Sequence, residues 1–177
     1  MSGFEFFFSL YGLVLGLSVV EIISGFARLV HNRGAVRVGW LVPALAILML
    51  FDLANFWMSA FVRLQAYEPS YGMLIIGLLI SSLYYVAASA VFPRDFQAEP
   101  DFDAVYLRHR RLVLGLMTVA GLLAFELLPS LNAAGRAARL HVWTTPGEFW
   151  QPLLFFAAVG VIVVTRSKWI NLAMLSC

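Results

Sequence analysis

The 177-residue chain is 62% hydrophobic and 12% charged, with a net charge of +2 and a mean hydropathy of +0.86. Soluble domains carry roughly 25% charged and 45–50% apolar residues, so an ordinary globular domain is excluded. The composition predicts an all-α polytopic integral membrane protein, and the few basic residues sit in connections between apolar runs, where they give no basis for nucleic-acid binding.

A membrane span needs about 20 apolar residues at 1.5 Å each, and five runs approach or exceed that length. The first covers residues 6–30. It lacks the basic n-region of a signal peptide and exceeds the usual h-region length, so it is expected to act as its own insertion signal. Glu5, Ser9, Gly12 and Gly16 share one face, and Gly12 with Gly16 forms a GxxxG. That motif permits close backbone approach, within one chain or between copies. Glu21, Gly25 and Arg28 lie on nearly the opposite face. Arg28 is about 10 Å from Glu21 along the axis, as a counter-charge or as a side chain snorkelling to the interface.

The second run, residues 38–64, places FDLANFW at its centre. Asp52, Asn55, Ser59 and Arg63 fall in a sector of about 80° at 100° per residue. A carboxylate at mid-membrane costs a few kcal/mol or more. Asp52 and Glu21 therefore need a cation, a bound proton or water. The third run, residues 71–92, lines up Gly77, Ser81, Tyr85 and Ser89, and Tyr84 or Tyr85 is placed to hydrogen-bond Asp52.

The connection from the third run to the fourth is acidic, then basic. Asp101 has the character of an N-cap, which starts a helix near Phe102 ahead of the fourth span at residues 112–131. The cluster Arg108, Arg110 and Arg111 reads first as a topology signal and second as a contact for anionic lipid headgroups. Glu126 lies towards the outer surface. NAAGRAARLHVW is expected to form a short interfacial helix, and TTPGEF is a capping box opening the fifth span, residues 149–165.

Alternating the connections puts nine basic residues on one side and three on the other. The positive-inside rule then predicts an outer N-terminus and a cytoplasmic C-terminus, within one transmembrane domain over residues 1–177. The expected location is a bacterial inner membrane. His31, His109 and His141 fall on both sides of the membrane, and Cys177 is the single cysteine, so neither a metal site nor a disulfide is expected. No P-loop, HExxH or nucleophile elbow is present. The expectation is a non-enzymatic protein without a cofactor.

Two roles fit these residues. In one, several copies associate and conduct or transport protons or cations through Glu21, Asp52, Asn55, Ser59, Tyr85 and Glu126, with Arg28 and Arg63 as counter-charges. In the other, the chain is an accessory or assembly subunit of a membrane complex, and the same side chains only fix helix packing.

Overall fold

The computed structural model describes residues 3–32, 39–65, 67, 70–93, 101–144 and 157. Among these residues the fold is all-helical, without strands. The long helices are α1 (Gly3–His31), α2 (Leu41–Leu64), α3 (Tyr71–Ser89) and α4 (Phe102–Leu122). A π-helical turn (Leu123–Leu127) and α5 (Leu128–Ser130) prolong α4, and α6 (Ala133–Thr144) follows. Four helical stretches are long and apolar enough to cross a membrane: Gly3–His31, Leu41–Leu64, Tyr71–Ser89 and Phe102–Ser130. The chain is thus of the integral membrane type. The expected fifth span, residues 149–165, and its capping box lie outside the described residues.

The helix starts follow local chemistry. Asp101 caps α4 as expected, its Oδ1 accepting from the Asp103 backbone N–H at 3.0 Å. Ser70 caps α3, its Oγ accepting from the Met73 N–H at 3.3 Å. The π turn has a comparable cause. Pro129 brings no N–H and in regular α geometry would press on the carbonyl of Phe125, four residues back. The chain instead widens, and the Leu128 N–H donates to the Leu123 carbonyl, five residues back.

Neighbouring helices alternate in direction. α1 and α3 run parallel in the most extensive seam of the bundle. Near its start, the Tyr11 hydroxyl donates to the Met73 carbonyl at 2.7 Å, and the Tyr11 ring fills the space where Gly77 has no Cβ. Near its end, the Phe92 ring fills the corresponding notch at Gly25. Any larger side chain at either glycine would collide with a ring held between two backbones. α2 and α4 also run parallel, with Gly39 close to Asp103 at one end and Arg63 close to Phe125 at the other.

The core is not uniform along the bundle. Towards the start of α2, Leu41, Val42, Leu45, Ala46 and Met49 are buried against Ile22, Ala87, Ala88, Val113 and Met117. This end also receives the basic ends of α1 and α4, with Arg28, Arg108, Arg110 and Arg111. Towards the end of α2 the packing thins to a small cluster of Tyr11, Leu64, Tyr67, Met73 and Leu128.

Candidate functional site: a recess ending at Asp52

The space left at the thinly packed end is a cavity of about 310 Å³. Three elements build it. α2 presents Asp52, Asn55, Ser59 and Arg63 along one face, the stripe expected from helical spacing. α3 contributes Tyr84 alone. The prolonged α4 supplies the opposite wall with Gly121, Ala124, Phe125, Leu128 and Pro129, and Tyr67 closes in from the connection after α2. From Asp52 to Leu64 the recess follows α2 for about 18 Å.

Asp52 stands at the middle of α2 and is half-buried. The Tyr84 hydroxyl, on a ring only 2% exposed, donates to its Oδ2 at 2.9 Å. That bond supplies the compensating neighbour a buried carboxyl requires. Among the described residues Tyr84 is the hydrogen-bond partner of this carboxyl, and the cavity lies beside it. Phe56 packs beside Tyr84, with ring centroids 5.4 Å apart, and holds that ring in place. Arg63, exposed near the end of α2, lies with its guanidinium 5.8 Å from the centroid of the Phe125 ring. Burial pushes the Tyr67 hydroxyl above its ordinary pKa, and the nearby Arg63 charge draws it part of the way back.

Not every residue of the expected set joins the recess. Tyr85 is 41% exposed and points away from the Asp52 side; Tyr84 is the partner. Glu21 and Arg28 pair with each other on α1 at 3.7 Å, both about a third exposed. Two extended side chains thus span the two helical turns, and neither residue lines the cavity. Glu126 is half-buried in the π turn and does not line it either, although its neighbour Phe125 does. Gly12 packs against Trp57 of α2, while Gly16 faces open space. The GxxxG therefore supports one contact within the chain at Gly12.

The Arg108–Arg111 cluster splits. Arg108 and Arg111 are exposed, but Arg110 is 2% exposed, with its guanidinium 5.9 Å from the Tyr106 ring centroid. The 3.6-residue period causes this, since Tyr106, Arg110, Val113 and Met117 share the inward face of α4. Among the described residues no group of three His, Cys, Asp or Glu side chains could hold a metal ion.

Sequence reasoning did not find the aromatic wall. Phe125 reads as one more apolar residue of a span, and Tyr67 as a loop residue. The available signal was Pro129, which marks a place where the α-helical hydrogen-bond ladder must yield. No protein-family profile, curated protein or solved structure matches this chain.

Proposed function

We propose that this is a small proton-handling transport protein in which Asp52 takes up and releases the proton. The single observation that carries the reading is a carboxyl at mid-helix, hydrogen-bonded by Tyr84, at the inner end of a polar-striped recess. Ionisable groups at membrane depth most often mark such routes. Water in the recess, with Ser59 and Tyr67 beside it, would relay protons to Asp52 from the end where α2 finishes. Beneath Asp52 the packed layer around Met49 blocks a continuous path, so net transport requires a change of access to Asp52 rather than an open pore.

The reading extends to the whole chain: five spans, an outer N-terminus, a cytoplasmic C-terminus and a place in a bacterial inner membrane. The basic ends of α1 and α4 would then face the cytoplasm and the recess would open outward. Association with further copies, or with another membrane subunit, belongs to the same reading. The runner-up is an accessory subunit in which the Asp52–Tyr84 bond is only a packing clamp; the directness of that bond favours it.

Proteoliposomes with an internal pH-sensitive dye separate the two. Transport predicts acidification driven by a proton gradient, and at least a tenfold loss in Asp52→Asn at unchanged thermal stability in detergent. Absence of flux in the wild type, together with a lowered melting temperature in Asp52→Asn, would leave the clamp.

A further inference from the structure

We infer that the mouth of the recess binds a small organic anion, a carboxylate with an apolar body, through Arg63 and Phe125. The inference deepens the transport reading by assigning what the recess admits besides protons, and it rests on that reading for its physiological role.

Among the described residues, Arg63 is the one cation lining the cavity. Among the described residues it has no carboxylate partner, and its recorded neighbour is the Phe125 ring. A guanidinium beside a ring can offer that ring its face and keep its edge for a ligand. The edge carries the N–H fork that takes a carboxylate with two parallel hydrogen bonds. A neighbouring ring limits the rotamers of a long side chain and so lowers the entropic cost of holding the fork for a ligand.

The surroundings select against the opposite charge. A metal ion or organic ammonium entering the recess meets the guanidinium before it reaches Asp52. Asp52 lies 11 positions away, about 16 Å along the helix, too far to neutralise Arg63 directly. Leu64, Leu128 and the Phe125 ring edge offer an apolar surface beside the fork, and Ser59 and Tyr67 add hydroxyls on the same side. A volume of about 310 Å³ stands at the lower end of small-molecule sites, which run from roughly 300 to 1,000 Å³. That suits a ring-sized carboxylate.

Binding of radiolabelled benzoate to the full-length protein in lipid nanodiscs tests this. Saturable binding is expected, displaced by unlabelled benzoate and not by benzylammonium or benzyl alcohol. Arg63→Gln should weaken it at least tenfold. Arg63→Lys, which keeps the charge but not the fork, should lose less, and Phe125→Ala a few-fold. Equal competition by benzylammonium, wild-type binding in both Arg63 variants, or no saturable binding at all would overturn the inference. Proton flux measured on the same preparation keeps the two ideas apart. Benzoate binding without any proton movement removes the transport reading and leaves the anion site. Proton movement without benzoate binding does the reverse.

Discussion

The two ends of this bundle use the same four helices and arrive at opposite results. At the end where α2 begins, side chains from all four helices interlock and Val42, Ala46 and Met49 are fully buried. At the end where α2 finishes, the same helix shows Asn55, Ser59 and Arg63 to a cavity, and α4 has widened into a π turn. The difference teaches where each kind of work resides. In lipid the helices gain little by hiding apolar surface, so close packing holds them together. A closely packed layer has no room for a ligand. The closed end therefore supplies the rigidity that lets the other end stay open around a half-buried carboxyl.

Breaking that contrast should have unequal consequences. The largest effect is expected from Met49→Ala, which empties space in the closed end. It should cost about 2 kcal/mol, the lower end of the range for such truncations. Ser59→Ala in the recess should cost less than about 0.5 kcal/mol. Thermal unfolding in detergent checks the pair, and similar shifts for both would mean that the ends are packed alike. A smaller effect is expected at the junction of the two regions. Tyr84→Phe keeps the ring and removes the donor to Asp52, a loss of about 1 kcal/mol; chemical denaturation of the same preparation measures it.

The smallest effect sharpens the comparison at the open end. The Tyr67 hydroxyl is held above its ordinary pKa by burial, against the pull of Arg63. The folded protein thus keeps this proton more tightly than the unfolded chain, whose tyrosines titrate near about pH 10. The resulting stability is fully present below that pH and fades as pH rises through the folded value. The tyrosinate absorbance of wild type minus Tyr67→Phe should show one late alkaline transition. Arg63→Gln should move it later still. A transition at the ordinary position would indicate that Tyr67 is solvated.

Much of this was legible from spacing alone. Asp52, Asn55, Ser59 and Arg63 share a face because 100° per residue returns them there, and they line one cavity. The Asp101 cap and the start of α4 at Phe102 were legible because capping is a local interaction. The choice between Tyr84 and Tyr85 was not, since adjacent residues differ by a rotation that only the packing of α3 selects. The same holds for Arg110, which is buried although it stands in a basic run with the exposed Arg108 and Arg111. Phe125 was illegible for a different reason. The π turn adds a residue to one helical turn and shifts every later position on α4 relative to its period.

What the sequence by itself determined is one-dimensional: the length of each apolar run, the stripe on α2 and the local caps. Each depends on residues within a few turns of one another. Only the tertiary structure decided that one end closes and the other stays hollow, and that Asp52 meets Tyr84 rather than a lipid chain. Those outcomes depend on side-chain volumes from helices distant in sequence meeting at one place, where a single misfit of a ring or a glycine changes what the space can hold.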